Sequence, residues 1–283
     1  MGPGLHVSGG ADDFAPTTDQ FGVALGDFAR CSACGHLQVD PMPVDLTAAY
    51  AEAESEDYEA EEQGQRATAV RDLSRLAPAV PARGRLLDLG CWVGFLGSEA
   101  ARAGWQVTGV EPSRWAAERA RSRGIDVVEA PLLEAPLPEG GFDAVALGDV
   151  IEHFPDPGAA LDRVAALLAP GGAVWIATPD AGSRLARALG PRWWSVIPTH
   201  LHLFTRRSLT CLLGRHGFEV IAIGTSPKTF SVEYYLNRLG GYWPPLARAL
   251  VRAARAAGLA QRLWTPDFRD RMYVVARLSR TTR

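Results

Sequence analysis

The stretch from residue 85 to residue 179 alternates short apolar runs with segments of helical pattern. The apolar runs are RLLDLG (85–90), QVTGVE (106–111), DVVEA (126–130), FDAVALGD (142–149) and AVWIATP (173–179). The helical segments between them are GFLGSEAARAG (94–104), SRWAAERARSRG (113–124) and PGAALDRVAALLAPGG (157–172). A repeated strand–helix order is typical of a parallel sheet with helices on both faces. The sequence therefore predicts a doubly wound α/β domain.

Two later runs, FEVIAIGT (218–225) and RMYVVARL (271–278), also have the pattern of strands. They bring the predicted sheet to seven strands, and RRSLTCLLGRHG (206–217) predicts a helix before the first of them. The interval between the two strands is mostly helical in pattern. The predicted parts are an N-terminal cap (1–64), the sheet-forming core (65–225), a helical lid insertion (226–270) and the final core strand (271–283).

Composition limits the classes of partner. Of the 283 residues, 47% are hydrophobic and 22% are charged, as in ordinary globular proteins, and the net charge of −3 offers no basic field for nucleic acid. Lys228 is the only lysine. No apolar run is long enough to span a membrane, no signal peptide is recognisable, and the four cysteines are too scattered for a disulfide framework. We therefore expect a cytoplasmic protein with a small-molecule partner.

The first strand of the core runs into a glycine turn. Asp88-Leu89-Gly90-Cys91-Trp92-Val93-Gly94 opens the following helix at Phe95, and small residues there let the backbone approach a ligand. The next strand ends at Glu111, about twenty residues further on, where a carboxylate can accept hydrogen bonds from both hydroxyls of a ribose. The turn alone is shared with dinucleotide-binding enzymes.

The later blocks separate methyl transfer from NAD binding. There is no second strand with a pyrophosphate-binding glycine fingerprint. Instead the chain has Gly141-Phe142-Asp143-Ala144-Val145, Asp149-Val150-Ile151-Glu152-His153-Phe154 and Leu168-Ala169-Pro170-Gly171-Gly172. With D-L-G-x-x-x-G and G-V-E-P-S, they resemble class I S-adenosylmethionine-dependent methyltransferases, in particular the UbiG-like and type 11/type 23 small-molecule groups. The resemblance covers residues 65 to 225 and the last strand.

The resemblance implies a Rossmann-like fold with an antiparallel last strand, and S-adenosylmethionine as the cofactor. By it, Asp88 and Gly90 hold the methionine end, Glu111 holds the ribose, and the segment around Pro131 lies beside the adenine. Trp92 departs from the family because a glycine is usual there, and Pro131 stands where an acidic residue is often found. The full expected set is Asp88, Gly90, Cys91, Gly94, Phe95, Glu111, Pro112, Leu132, Leu133 and Asp149.

Three histidines are candidates for the acceptor side. The sulfonium makes the methyl group electrophilic, so the protein has to align the attack, and a hydroxyl nucleophile benefits from a general base, most often histidine. His153 follows a strand end. His200 and His202 stand two residues apart, so an extended backbone would place them on one side. Of these three candidate catalytic residues we prefer His200; the alternative is a lid histidine bonded to backbone.

Two motifs raise the question of a metal. Asp149, Glu152 and His153 would share one face of a helical turn, and some UbiG-like enzymes bind a magnesium-like ion with such a group. We favour the reading in which Glu152 and His153 only shape the floor of the site, and we predict no metal ligand. Magnesium and zinc are left open.

Cys31-Ser-Ala-Cys34-Gly-His36 resembles half of the zinc ribbon that precedes the catalytic domain in type 23-like and sugar C-methylating relatives. A closed zinc site needs four ligands, and Leu5 and Ser8 stand where the other cysteine pair is expected. We interpret the segment as a degenerate half-site that caps the substrate.

A basic amphipathic helix is predicted from Pro244 to Trp264. We expect it to pack on its own domain or in a homodimer rather than on a membrane. The acidic run from Glu52 to Glu62 is interpreted as a solvated helix face, from which Tyr50 and Tyr58 would be able to close over the cofactor.

The predicted function is S-adenosylmethionine-dependent methylation of a small molecule, with oxygen preferred as the acceptor atom and a natural product or other secondary metabolite as the acceptor. One alternative is a carbon methyltransferase acting on a sugar-like substrate. Another is an inactive binding module that keeps the fold, with Trp92 filling the cofactor loop.

Overall fold

The computed structural model describes residues 2–5, 22–42, 51 and 59–279. The strands are β1 (Gly2–Leu5), β2 (Asp27–Arg30), β3 (Leu37–Asp40), β4 (Arg85–Leu89), β5 (Gln106–Val110), β6 (Asp126–Val128), β7 (Phe142–Gly148), β8 (Leu168–Pro179), β9 (His202–Leu203), β10 (Phe218–Thr225), β11 (Phe230–Ser231), β12 (Leu263–Trp264) and β13 (Arg271–Leu278). The α-helices are α1 (Glu62–Leu76), α2 (Phe95–Arg102), α3 (Arg114–Ser122), α4 (Pro157–Leu167), α5 (Arg184–Leu189), α6 (Arg206–Arg215), α7 (Val232–Arg238) and α8 (Pro244–Ala256).

Seven strands form the central sheet, in the order β10-β13-β8-β7-β4-β5-β6. β4 to β8 pair in parallel, and β13 runs antiparallel to both β8 and β10. The predicted doubly wound fold with an antiparallel last strand is therefore confirmed. Because parallel neighbours end at the same edge, the turns after β4, β5 and β7 lie side by side there.

The central strands are buried on both faces. Leu86, Leu87 and Leu89 of β4 have no exposed surface, which explains why this strand reads as a continuous apolar run instead of an alternating one. One face of the sheet packs against α4 and α6, and the other face, which carries Trp175 of β8, packs against α1 and Trp105. The core therefore holds the strand ends in fixed positions.

One boundary differs from the prediction. Leu168-Ala169-Pro170-Gly171-Gly172 was expected at the end of a helix, but β8 already begins at Leu168. Leu168 adopts an extended backbone conformation, and Pro170 lacks the N–H that a helix interior requires. The pairing of β8 with β7 shifts register after Phe142, where this segment enters the sheet.

The N-terminal segment forms a second sheet, β1-β2-β3-β9, in which all pairs are antiparallel. Its last strand, β9, comes from the core sequence. Phe28 and Val39 are buried against Trp193 and Val196. The cap is thus packed onto the segment that follows β8, and this packing positions the residues around His200.

The insertion between β10 and β13 contains α7, α8 and the β11–β12 pair. The predicted helix to Trp264 is too long, because α8 ends at Ala256, before Gly258 with its φ of +68°. Leu263 and Trp264 instead pair with Ser231 and Phe230. Of the acidic run, residues 52–58 lie outside the described residues, as does Tyr50. None of the described helices has the length and apolarity that crossing a bilayer requires.

Candidate active site

The turn after β4 needs glycine at two positions. Gly90 and Gly94 have φ values of +75° and +85°. A Cβ on Gly90 would lie 2.6 Å from a methyl of Val150, and one on Gly94 would lie 2.9 Å from Ala120. The N–H groups of Gly90 and Cys91 both donate to the carbonyl of Val110. These hydrogen bonds fix the turn after β4 to the end of β5, so its backbone lies close to the turn that follows β5.

Glu111 is the first residue after β5, and its carboxylate is buried. One oxygen accepts from the N–H of Trp92 at 2.8 Å and the other from the N–H of Ser113 at 2.9 Å. Burial raises the pKa of Glu111 to about 7, although these two N–H groups act in the opposite direction. Each carboxylate oxygen keeps a second lone pair for a ligand hydroxyl.

Trp92 occupies the left-handed region, with φ of +49°, at the position where the resemblance led us to expect glycine. Its ring packs against Trp115 of α3, with ring centroids 5.6 Å apart, while the residue also borders the cavity. The indole is thus held against α3 while the residue borders the space at the carboxyl edge of the sheet.

A cavity of about 930 Å³ runs along the carboxyl edge of the sheet, and a lobe of about 100 Å³ adjoins it. Gly90, Trp92, Gly148, Asp149, Lys228 and Arg271 border both spaces. The cofactor-binding residues expected from the sequence are divided between the large cavity and the small lobe. Glu111, Pro112, Leu132 and Leu133 line the large cavity, and Asp88, Cys91, Gly94 and Phe95 line the small lobe.

Buried polar atoms without a partner are concentrated in the small lobe. Among the described residues, Gln65 Nε2, Asp88 Oδ2, Trp175 Nε1 and Arg271 Nε have no hydrogen-bond partner, and all four residues line this lobe. Burial raises the pKa of Asp88 to about 7. Unpaired buried groups are costly, so a set of donors and an acid around one lobe indicates a site for a polar, charged ligand group. Gln65 and Arg271 were not predicted from the sequence.

Asp149 follows β7 and also has a left-handed backbone, with φ of +60°. Lys228 Nζ lies 2.6 Å from one of its oxygens, and Arg271 pairs with the other. Burial by itself would raise the pKa of Asp149, but the positive charges of Arg271 and Lys228 hold this pKa below its usual range. A strained residue at a strand end beside a cavity is typical of functional sites.

The floor of the large cavity contains Glu152, His153 and His200. Neither oxygen of the fully buried Glu152 has a hydrogen-bond partner among the described residues, and burial raises its pKa to about 8. His200 Nδ1 lies 2.8 Å from the carbonyl of Ser195, so it carries the proton, and Nε2 lies 4.0 Å from Glu152. Burial lowers the pKa of His200 to about 3 and also lowers that of His153.

His202 departs from the expectation that it shares a side with His200. Its Nδ1 lies 3.0 Å from His36 Nε2, and its Nε2 lies 3.3 Å from the carbonyl of Pro155. The backbone between the two histidines does not continue as one strand, because β9 begins only at His202 and pairs with β3. His202 therefore belongs to the seam between cap and core and does not line the cavity.

The residues do not fit the magnesium-like site that the resemblance to some UbiG-like enzymes would imply. Asp149, its first expected ligand, is already paired with two protein cations. Among the described residues, the group that could hold a metal is Glu152, His153 and His200, whose ligand atoms lie within 4.8 Å of one another. One carboxylate and two imidazoles differ from the oxygen shell that Mg²⁺ prefers.

The cysteine segment forms the turn between β2 and β3. Cys31 is exposed and Cys34 is partly exposed, and neither belongs to a group of three candidate ligands within the described residues. Gly2 pairs with Arg30, next to Cys31, whereas Leu5 pairs with Phe28 further along β2. Leu5 is thus at the far end of the strand pair from Cys31, and Ser8 lies outside the described residues.

Aromatic rings of the insertion, together with Trp194 from the segment that follows β8, form one wall of the large cavity. Tyr235 contacts Trp264 with centroids 5.4 Å apart, and Trp194 contacts Phe268 at 5.5 Å. Phe230 and Tyr234 stack at 4.1 Å. All six rings line the large cavity. The sequence analysis missed this wall, because the aromatic residues are spread over 75 positions of sequence and only the insertion brings them together.

Comparison with known proteins agrees with this geometry. A family model described as a methyltransferase domain (Methyltransf_23) matches residues 60–223. The ubiquinone biosynthesis O-methyltransferase of Xylella fastidiosa (strain 9a5c) is 36% identical over 117 residues, which are 38% of this chain and 46% of that protein. The enzyme of the same name from Caulobacter sp. (strain K31) is 43% identical over 101 residues, 33% of this chain and 40% of that one. The match thus spans less than half the length of these curated relatives.

Solved structures share the fold at low sequence identity. A 1,6-didemethyltoxoflavin-N1-methyltransferase from Burkholderia thailandensis, determined with S-adenosylhomocysteine, has a TM-score of 0.52 and 20% identity, covering 88% of this chain and 97% of that one. A methyltransferase from Archaeoglobus fulgidus has a TM-score of 0.53 and 18% identity, covering 75% and 94%. With the family model matching more than half of its length, the chain belongs to the type 23 methyltransferase-domain family and is a class I methyltransferase that uses S-adenosylmethionine as methyl donor.

Proposed function

We propose that this enzyme methylates a hydroxyl oxygen of a small molecule with an apolar, ring-containing body, a natural product or another secondary metabolite. The observation that carries the proposal is one continuous cavity. It joins the turns after β4 and β5 to a histidine-bearing floor and an aromatic wall.

For the donor, we propose that the adenosine lies in the large cavity, with its ribose at Glu111 and its adenine beside Leu132 and Leu133. The methionine end then occupies the small lobe. Its ammonium group would meet Asp88, and its carboxylate would meet Gln65 and Arg271. The support for this orientation is that each of these three side chains has a buried polar atom without a partner.

When bound, S-adenosylmethionine supplies a methyl group made electrophilic by the sulfonium. Transfer forms a C–O bond and breaks the C–S bond, whose electron pair stays on sulfur. The hydroxyl proton has to leave, and we assign it to Nε2 of His200, which is the proton-free nitrogen of the neutral ring. His153, which is less buried on the same floor, is the second candidate base.

For the acceptor, the aromatic wall favours a flat or ring-containing molecule, because aromatic rings stack with centroids about 4.5–7 Å apart. The two curated relatives described above are named as ubiquinone biosynthesis O-methyltransferases, which supports oxygen over carbon or nitrogen as the acceptor atom.

Two measurements test the proposal. Calorimetry with S-adenosylhomocysteine should show binding, whereas no heat at millimolar ligand would favour an inactive module. Incubation with methyl-labelled S-adenosylmethionine and a panel of phenols, aliphatic alcohols, amines and sugars should label the hydroxylated ring compounds. A product whose label NMR places on carbon or nitrogen would overturn the oxygen assignment.

A further inference from the structure

The insertion leaves large apolar side chains on the surface of the protein. Among the described residues ten such side chains are exposed, and seven of them lie between residues 243 and 268. Trp243 is 64% exposed, and Leu246 and Leu250 follow it at helical spacing along one side of α8. The buried residues of this helix, on its other side, are Ala247, Val251 and Ala254. α8 therefore packs on its own domain with one side and leaves its leucines in contact with solvent.

These side chains adjoin the opening of the large cavity. Tyr242, the neighbour of Trp243, lines the cavity, and its hydroxyl donates to the carbonyl of Arg192. Trp264 and Phe268 also line the cavity, and they are 49% and 43% exposed. We call the surface formed by the exposed residues of the range 243–269 the insertion face. It begins at the opening of the cavity.

The chain around this opening is basic. Residues 180–206 and 226–270, which meet where Tyr242 contacts Arg192, contain eleven arginines and lysines and four acids. Their net charge is thus +7, whereas the whole chain carries −3. The rest of the protein therefore carries −10, so the two signs of charge are concentrated in different parts of the molecule.

The nearby acids do not cancel this charge at the surface. Of the four acids in the two segments, three are buried or paired with arginine: Asp180, Asp270 and Glu233. The exposed acids that line the cavity are Asp267 and Glu134. Eight arginines are exposed on the same two segments, three between residues 184 and 192 and five between residues 248 and 269, of which Arg255 is paired. The outer surface at the cavity opening is therefore positive.

An anionic lipid surface matches the combination of features on the insertion face. Helices that lie on a membrane surface carry tryptophan and leucine on one side and basic residues on the other. Tryptophan is also enriched at the boundary between lipid and water. Arg248 and Arg252 stand on a different side of α8 from Leu246 and Leu250. A twofold contact between two copies of this face would instead bring equal positive charges together.

We propose that the insertion face binds the surface of an anionic lipid bilayer, with Trp243, Leu246 and Leu250 among the lipid headgroups and the exposed arginines on the lipid phosphates. This differs from the sequence-based prediction of packing within the domain or in a homodimer, because the leucine side of α8 remains exposed. The negative remainder of the chain is repelled by the same surface, so the opening of the large cavity faces the bilayer. The inference goes beyond the proposed O-methylation and does not depend on it.

The first test measures co-sedimentation of the full-length protein with two kinds of vesicle, one of phosphatidylcholine and one of equal parts of phosphatidylcholine and phosphatidylglycerol. The protein should bind the mixed vesicles at least about tenfold more tightly, because basic residues are attracted to a negative leaflet. Added salt should weaken this binding by screening the charges. Equal binding to both kinds of vesicle, or binding to neither, would overturn the proposal.

The second test removes apolar contacts. The double variant Trp243→Ser with Leu246→Ser should bind the mixed vesicles about tenfold or more weakly, because the apolar area that leaves water is lost. Position 243 is the N-cap of α8, where serine is a preferred residue, so the helix is retained. Ile221→Ser with Ile223→Ser alters two exposed residues of β10 outside the insertion and should bind like the wild type. Equal losses in both double variants, or no loss in the first, would contradict the proposal.

The third test removes charge. Arg248→Gln with Arg252→Gln should weaken binding to the mixed vesicles by about tenfold, because two cations near the lipid phosphates are lost. The matched control is Arg102→Gln with Arg114→Gln, two exposed arginines of α2 and α3, and it should stay within about twofold of wild type. A similar loss in both pairs would show a general effect of net charge and would overturn the assignment to the insertion face.

Two further measurements separate the remaining outcomes. Sedimentation equilibrium without lipid should show no self-association that depends on Trp243 and Leu246. A dimer that dissociates in the Trp243→Ser, Leu246→Ser variant, in a protein that does not bind vesicles, would mean that a second copy covers the insertion face. Calorimetry with S-adenosylhomocysteine checks that every variant is folded. A wild-type protein that binds the mixed vesicles but not this ligand would support the bilayer contact and remove the proposed function.

Discussion

The main-chain N–H of Trp92 donates a hydrogen bond to Glu111 Oε2 at 2.8 Å. The residue that interrupts the glycine turn after β4 therefore also fixes the carboxylate at the end of β5. Since the donor is a main-chain N–H, the identity of the side chain at position 92 matters little to this bond. The acceptor is the side chain of Glu111, so the identity of residue 111 matters directly.

Replacing Glu111 by alanine should weaken S-adenosylhomocysteine binding by about 1–3 kcal/mol, because the ribose hydroxyls and two backbone N–H groups lose their acceptor. Calorimetry at fixed pH measures the change. Glu118→Ala removes an exposed carboxylate from α3 and should bind like the wild type. Unchanged affinity in Glu111→Ala would remove the ribose assignment.

Replacing Trp92 by glycine should leave S-adenosylhomocysteine affinity within about threefold of wild type, well under the 1.4 kcal/mol of a tenfold change. The reason is that the indole packs on Trp115 of α3. Titration calorimetry again provides the readout. A gain of tenfold or more would mean that the indole obstructs the cofactor and would favour the inactive-module alternative.

Replacing His200 by alanine should lower turnover by about 10²-fold or more and leave S-adenosylhomocysteine affinity unchanged, because the ring acts on the acceptor proton. His202→Gln provides the comparison, since its ring contacts His36 and Pro155 outside the cavity, and its turnover should stay within about threefold of wild type. The measurement is the turnover rate of both variants with a phenolic acceptor from the panel of candidate substrates. Full activity of His200→Ala would eliminate its role as base.

The free energy of unfolding of the ligand-free protein should decrease as pH rises from about 6.5 to 8. Burial raises the pKa of Asp88 and Glu111 to about 7 and that of Glu152 to about 8, so the folded state holds protons that the unfolded chain has already lost. Each such carboxyl contributes up to about 1.4 kcal/mol per pH unit in this sense. The buried histidines have lowered pKa values, so they make the free energy of unfolding increase with pH. This opposite effect is confined to pH values below about 6.5, where histidine gains a proton in the unfolded chain but not in the folded one.

Denaturant titrations at several pH values measure this slope. Glu152→Gln should make it shallower by removing the carboxyl with the highest of these three pKa values. An unfolding free energy that is flat or increasing across this window would show that the buried carboxyls are hydrated or paired in solution.

Chelation with excess EDTA should leave both the unfolding transition and S-adenosylhomocysteine affinity unchanged, because Lys228 and Arg271 already neutralise Asp149. Adding Mg²⁺ should not tighten binding. A rise in melting temperature with added Zn²⁺ that is lost in His153→Ala would instead indicate that Glu152, His153 and His200 hold a metal ion.

The seven-stranded sheet could be predicted from the sequence alone, because its strands are continuous apolar runs and its turns are marked by glycine. The sequence also identified the residues that directly follow β4 and β5, whose place at the sheet edge depends only on strand order. Gln65, Lys228 and Arg271 could not be found in this way. They come from a helix before the sheet and from the two ends of the insertion, and only tertiary packing brings them to the same lobe.

The two histidines of His200-Leu201-His202 show the same limit. Spacing alone placed both on one side, but the backbone enters β9 only at the second histidine, where pairing with the N-terminal cap turns its ring away. The pairing partner lies more than 160 residues earlier in the chain, so no local pattern contains this information.

Lys228 and Arg271 meet on the same carboxylate although 42 residues separate them, so the insertion leaves the core and returns to it at almost one point. A segment anchored in this way can be lengthened, shortened or exchanged with little strain on the sheet, since the entropy of closing a loop grows only slowly with its length. The aromatic residues of the insertion are thus anchored to the sheet at one place, and replacing the insertion would change one wall of the large cavity while the turns after β4 and β5 stay as they are.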